Sequence, residues 1–280
     1  MNKQNYLVTC DWLHQHLDDP NVVIADCRYM LGQPEQGLLV YRLGHIPNAL
    51  HFDLDKDLSG SKQKHGGRHP LPSVDSLVYL FSNAGIDEAV LVVAYDEQEM
   101  AGAARLWWLL RYVGHTKVVV LDGGLKSWKA AKLPLAEETA HRPSRRFVPN
   151  LQTHLLAEIE DVQKRNASTA LVDSRAGERY RGDVESWLDP KSGHIPGAVN
   201  YFYQENLNED GTMKPQSELT NRFAALQNPS EMIVYCGSGV TACVNILALH
   251  QAGRNDAKLY IGSWTDWCSY DLPIQKGASP

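Results

Sequence analysis

The chain repeats itself. Asp26 and Asp173, 147 residues apart, each close a short apolar run and are followed two residues later by an arginine, Arg28 and Arg175. Gly44-His45-Ile46-Pro47 returns as Gly193-His194-Ile195-Pro196 at a distance of 149 residues. Tyr95 returns as Tyr235 at 140, and Gly123 and Trp128 return as Gly262 and Trp267 at 139. Small insertions explain the drift. A self-similarity this long means two copies of one folding unit. It divides 280 residues into two pieces of ordinary domain size. The expected boundaries are 1–136 for the first copy, 137–150 for a linker and 151–280 for the second. The linker is polar, carries Pro143 and Pro149, and clusters Arg142, Arg145 and Arg146, a composition that interrupts regular structure.

Within each copy short apolar runs alternate with helical patterns. In the first, a helix capped by Thr9 or Asp11 is expected to end near Leu17, followed by strands over 22–26 and 49–53. A helix over 74–84, a strand over 90–96, a helix over 101–112, a strand over 117–121 and a short helix over 125–130 complete it. In the second, helices over 155–164, 217–226 and 241–251 alternate with strands over 170–173, 199–201, 232–235 and 259–261. The run 90–96 is apolar throughout, as in a parallel strand covered on both faces. The fold class expected is α/β: two homologous domains, each a mostly parallel sheet flanked by helices. The stretch 56–72 contains His65-Gly66-Gly67-Arg68-His69-Pro70. It is long for a connection without regular structure and is a candidate functional loop.

Composition excludes several functions. The net charge of -6 supplies no basic surface for nucleic acid. No apolar run is long enough to span a membrane, and Met1-Asn2-Lys3-Gln4-Asn5 opens no apolar signal region. The five cysteines, at 10, 27, 236, 243 and 268, are odd in number and widely spaced. They form no zinc or dithiol pattern, which suits a reducing, cytoplasmic location. No metal or organic cofactor is implied.

The chemistry concentrates at Cys236-Gly237-Ser238-Gly239-Val240-Thr241, a tight loop between a strand and a helix. Successive backbone N–H groups of such a loop point into one concavity, and the helix dipole adds positive potential. A thiol there is expected to lose its proton readily. The two glycines let the backbone close around a bound group. The repeat acts as a filter, because a residue present in both copies serves the shared fold. Asp26/Arg28 and Asp173/Arg175 are therefore read as structural, as are His45 and His194. Asp96 stands one residue after Tyr95, as Cys236 does after Tyr235, so the first copy lacks the nucleophile. Asp96 is read as a loop aspartate accepting backbone N–H bonds. Arg179 has no counterpart, since Gly32 stands four residues after Arg28. Cys10, Cys27, Cys243 and Cys268 are read as small hydrophobes.

Two copies, each with an Asp-X-Arg strand end, a Gly-His-Ile-Pro turn and a strand–loop–helix, resemble the tandem-domain rhodaneses over nearly the whole chain. The resemblance implies two rhodanese-like domains, the second carrying a cysteine that holds a persulfide, the first an aspartate in its place. The string from Cys236 to Thr241 is similar to the mercaptopyruvate branch of that family, whereas the thiosulfate branch places Arg and Lys after the cysteine. Thiosulfate is a dianion, and this loop offers no cation for it. One arginine can grip a single carboxylate in bidentate fashion. By resemblance Arg179, in Arg175-X-X-X-Arg179-Tyr180-Arg181-Gly182, binds the donor's carboxylate, beside the loop residues Gly237, Gly239, Val240 and Thr241. The family's second substrate arginine has no match over 183–189, which leaves Arg181 or Lys191 as substitutes. Resemblance also implies a relay of Ser238, His69 and Asp53 across the domain cleft. The expected reaction moves sulfur from 3-mercaptopyruvate through a Cys236 persulfide to thioredoxin, a small thiol or cyanide, releasing pyruvate. Three alternatives stay open. They are a thiosulfate sulfurtransferase, a noncatalytic sulfur-relay module, and a cysteine phosphatase, whose loop would need an arginine where Ala242 stands.

Overall fold

A computed structural model describes residues 6–226, 229 and 231–279; Met1 to Asn5 lie outside the described residues. The chain forms two compact units. The first contains the described residues up to Gly60, Pro72–Gln152 and Leu207–Met213. The second contains Ser61–Leu71, Thr153–Asn206 and the described residues from Lys214 onward. Each unit thus takes in one short segment that chain order would give to the other copy.

The first unit is built from strands β1 (Leu7–Val8), β2 (Val22–Asp26), β3 (Ala49–His51), β4 (Leu91–Tyr95) and β5 (Val118–Leu121). Its helices are α1 (Cys10–Gln15), α2 (Gln36–Leu43), α3 (Val74–Asn83), α4 (Ala101–Tyr112) and α5 (Gly124–Ala130). The second has β6 (Leu156–Ala157), β7 (Thr169–Asp173), β8 (Ala198–Asn200), β9 (Glu231–Tyr235) and β10 (Ala257–Tyr260). Its helices are α6 (Ile159–Lys164), α7 (Gly177–Arg181), α8 (Gln216–Arg222), α9 (Ala242–Gln251) and α10 (Ser263–Trp267). The strand orders are β1-β5-β4-β2-β3 and β6-β10-β9-β7-β8, the same order in both units. Every pairing between these named strands is parallel. Asp26 pairs with Tyr95 and Asp173 with Tyr235 in register.

Two expectations need correction. The stretch 155–164 is not one helix, because Leu156–Ala157 forms an edge strand before α6 begins at Ile159. Of the two cap candidates for α1, Thr9 is the cap; its hydroxyl accepts from the N–H of Trp12.

The shared residues hold each sheet together. Arg28 and Arg175 each grip the aspartate two residues back, at 2.7 and 2.6 Å. Each also donates to the carbonyl of the next Gly-His turn, Gly44 and Gly193, at 2.8 Å. His45 and His194 are fully buried. Each faces the carbonyl of a tyrosine, Tyr41 at 2.7 Å and Tyr180 at 2.8 Å. All four groups are thus spent on holding the strand ends, and each buried charge is paired as burial requires. Helix α9 is buried around its circumference from Ala242 to His250, so it sits inside the unit rather than on its rim. That fixes the loop at its N-terminus.

Candidate active site

Cys236 follows the last residue of β9, and α9 starts six residues later. The carbonyl ends of parallel strands are where ligands of α/β sheets bind. The loop between is held from beneath by α10. Trp264 N–H donates to the carbonyl of Cys236 and Thr265 N–H to that of Gly237, both at 3.0 Å. Cys236 N–H donates to Ser263 Oγ at 3.1 Å. Gly239 adopts φ +75, and a methyl group on it would lie 2.2 Å from the carbonyl oxygen of Ile261. Only glycine fits both conditions. Its N–H points at Cys236 Sγ, 3.2 Å away. Val240 and Thr241 carry the chain into α9, their carbonyls accepting from Cys243 and Val244 at 3.1 Å.

The segment 61–71 supplies the next side chains. His69, 2 % exposed, brings Nδ1 within 2.8 Å of Ser238 Oγ. Arg68 Nη2 donates to the same hydroxyl at 3.3 Å. The segment is fastened to α10. Gly66 N–H donates to Asp266 Oδ1 at 2.7 Å, and Arg68 N–H to Thr265 Oγ1 at 3.1 Å. His65 faces Ser269 Oγ at 2.7 Å and stacks on Tyr270. Asp266 is itself fixed by the hydroxyl of Tyr260 at 2.6 Å, and burial together with that carboxylate raises the phenol's pKa.

Arg179, on the short helix α7, also reaches the loop. A methyl group on Gly237 would lie 3.2 Å from Arg179 Nη2, 3.7 Å from Arg68 Nη2 and 4.0 Å from Asp189 Oδ1. Two guanidinium groups and one carboxylate therefore converge beside Gly237. The arginine that joins Arg179 here is Arg68, not Arg181 or Lys191. Arg181 pairs with Asp183 at the surface, and Lys191 donates to the carbonyl of Tyr270. Sequence reading singled out the loop that holds Arg68 but not this residue. Asp189, which holds Arg179 through two bonds of 2.7 and 2.6 Å, had no signal at all.

Asp53 belongs to the first unit, where its Oδ1 accepts from the N–H groups of Asp55 and Lys56, both at 2.9 Å. Asp96 follows the last residue of β4 and accepts from Met100, Gly102 and Ala103 at 3.0, 3.0 and 3.4 Å. Burial pushes its carboxyl up to about 6 against those bonds. Its carboxylate takes up the N–H groups of its own loop. All five cysteines are free. Burial raises Cys27, and it raises Cys10 to about 11 and Cys268 to about 12, so none of these three is suited to act as a thiolate at neutral pH. Among the described residues no group of three His, Cys, Asp or Glu side chains could hold a metal ion. No helix there is long and apolar enough to cross a membrane.

Comparison with known proteins agrees with this architecture. The rhodanese-like domain matches twice, over residues 9–131 and 155–270, and the chain belongs to that family. A Pseudomonas aeruginosa protein named "Probable 3-mercaptopyruvate sulfurtransferase" is 42% identical over 93% of this chain and 94% of its own. An Arabidopsis thaliana protein named "Thiosulfate/3-mercaptopyruvate sulfurtransferase 1, mitochondrial" is 33% identical over 96% of this chain and 78% of its own. Among solved structures, the 3-mercaptopyruvate sulfurtransferase SseA from Escherichia coli superposes with a TM-score of 0.81 at 32% identity, covering 93% of this chain and 99% of that one.

Proposed function

We propose that the chain is a sulfurtransferase that moves sulfur from 3-mercaptopyruvate through a Cys236 persulfide to a thiol or cyanide. The observation that carries this reading is the convergence of Arg179 and Arg68 beside Gly237, next to a cysteine that accepts a backbone N–H. A thiolate needs donors around it, and an α-keto acid needs a cation for its carboxylate. The names of the relatives point the same way. Cys236 Sγ attacks the donor's sulfur, and the carbon–sulfur bond breaks. Its electron pair goes to the donor's C3, giving the enolate of pyruvate. The proton of the donor's thiol passes by way of Ser238 and His69 to C3. The acceptor, a thiolate through its sulfur or cyanide through its carbon, then attacks the outer sulfur, the sulfur–sulfur bond breaks and Cys236 returns as a thiolate. Gly237, Gly239, Val240 and Thr241 form the backbone cradle. Asp53 keeps the role the resemblance gives it, tested by Asp53→Asn.

The first domain, with Asp96 at the cysteine position, is the inactive copy. A thioredoxin, a small thiol or cyanide serves as acceptor in this reading, and free cysteines suit the cytoplasm. Thiosulfate is the second donor to weigh, because the Arabidopsis relative's name includes it. The test is pyruvate release from mercaptopyruvate with dithiothreitol present. Wild type is expected to turn over and Cys236→Ser to be inactive. Equal pyruvate release by Cys236→Ser would overturn the reading, and faster turnover of thiosulfate would replace the donor.

A further inference from the structure

Ser263 is fully buried and adopts φ +57, a left-handed conformation that costs a serine free energy and a glycine almost none. Its counterpart in the first copy, 139 residues earlier, is a glycine, Gly124, at φ +58. The conformation belongs to the shared fold, and only the second copy carries a side chain there. Two backbone bonds are shared as well. The N–H groups of Leu125 and Lys126 donate to the carbonyls of Asp96 and Glu97 at 2.8 and 2.9 Å, as those of Trp264 and Thr265 do to Cys236 and Gly237 at 3.0 Å. What the serine adds is a hydroxyl. Its Oγ accepts from Cys236 N–H at 3.1 Å and donates to the carbonyl of Tyr260 at 2.9 Å. Both peptide groups that flank the Cys236 α-carbon are therefore tied to the start of α10. The turn that leads into the serine also meets the sulfur's own donor. A methyl group on Gly239 would lie 2.2 Å from the carbonyl oxygen of Ile261, and Gly239 N–H points at Cys236 Sγ from 3.2 Å. Residues 261–263 thus hold both partners of that contact, Gly239 by close packing and Cys236 by the hydroxyl.

We infer that Ser263 is a positioning residue for the nucleophile: its hydroxyl fixes the Cys236 backbone so that Sγ stays against Gly239 N–H and aimed at the donor. The strain at residue 263 is retained for that bond. A rotation at the Cys236 backbone would swing Sγ out of line, and a misplacement of about an ångström is enough to slow a reaction by up to 100-fold. The inference rests on the reading that Cys236 carries the sulfur. Two variants of the full-length protein separate positioning from mere stability. Ser263→Gly removes the hydroxyl together with the strain, whereas Ser263→Ala removes the hydroxyl and keeps the strain. Urea unfolding is expected to place the midpoint of Ser263→Gly above that of Ser263→Ala. Single-turnover loading of sulfur from mercaptopyruvate is nevertheless expected to slow about tenfold in both, with half-saturation within about twofold of wild type. Hydrogen exchange of the Cys236 amide, read by mass spectrometry, should speed up about tenfold in both, and that readout needs no sulfur transfer. Loading at the wild-type rate in Ser263→Gly overturns the inference, as does a loss in each variant that follows its loss of stability. Unchanged exchange of the Cys236 amide overturns it too. Failure of wild type to take up sulfur would sink the sulfurtransferase reading and leave the amide exchange to decide whether Ser263 holds Cys236.

Discussion

The side chains around Gly237 divide the work of the site between binding and proton transfer. Arg179 and Arg68 share the space beside Gly237. A charge-assisted bond to a carboxylate contributes roughly 1.5–3 kcal/mol. Arg179→Ala and Arg68→Ala are each expected to raise KM for mercaptopyruvate by about 10- to 100-fold, with a smaller effect on kcat. Steady-state kinetics decide this, and unchanged KM in both variants would remove the carboxylate assignment. Ser238→Ala keeps both arginines but removes the hydroxyl that His69 faces. It is expected to lower kcat more than it raises KM. Donor selectivity can be read from the sequence only in part. Cys236-Gly237-Ser238-Gly239 is contiguous and legible, and so was the absence of cations in the loop. Arg68 stands 168 residues before Cys236, and only packing brings it to the loop. The loop charge read from sequence was therefore incomplete: cations do reach the site, from outside the loop, and Asp189 offsets one of them.

At the scale of elements, α10 is the shared base of the site. Four of its residues hold the surroundings: the N–H groups of Trp264 and Thr265 and the hydroxyl of Ser263 hold the Cys236 loop, and Thr265 and Asp266 hold the segment 61–71. Ser263 does so at φ +57, while Gly124, its counterpart 139 residues earlier, has φ +58. A non-glycine residue there costs on the order of 1 kcal/mol or more, which the bond to Cys236 N–H offsets. Asp266 has Ser127 as its counterpart, so the anchor of the segment belongs to the second copy only. Asp266→Ala and Thr265→Val are expected to loosen Arg68 and His69. Alkylation of Cys236 followed by peptide mass should show a fall of about tenfold in the iodoacetate rate relative to iodoacetamide. An unchanged ratio in both variants would contradict the anchoring. The alternation of apolar runs and helical patterns made most of these elements legible. β1 and β6 were not, because two residues carry no periodicity. Neither were α2 and α7, which pattern alone does not separate from the turns they lead into.

At the scale of the whole molecule, duplication explains why one chain has two matching sheets and one nucleophile. Asp96 closes the first copy's loop with bonds to three N–H groups, at a cost. Its carboxyl is raised from the usual 3.8 to about 6, so the folded state binds the proton more tightly than the unfolded chain does. Its contribution is therefore neutral below about pH 4 and becomes unfavourable as pH rises through 6, by roughly 2–3 kcal/mol. Urea unfolding at pH 4.5 and 7.5 should show Asp96→Asn losing this part of the pH dependence. A dependence identical to wild type would contradict it. The central claim lies in the other copy. Wild type is mixed with mercaptopyruvate or thiosulfate, and its intact mass and its Cys236 peptide are followed with time. One added sulfur on Cys236, removed by thiol and acquired much faster from mercaptopyruvate, is the result expected; no addition from either donor, or sulfur on another cysteine, would contradict the account.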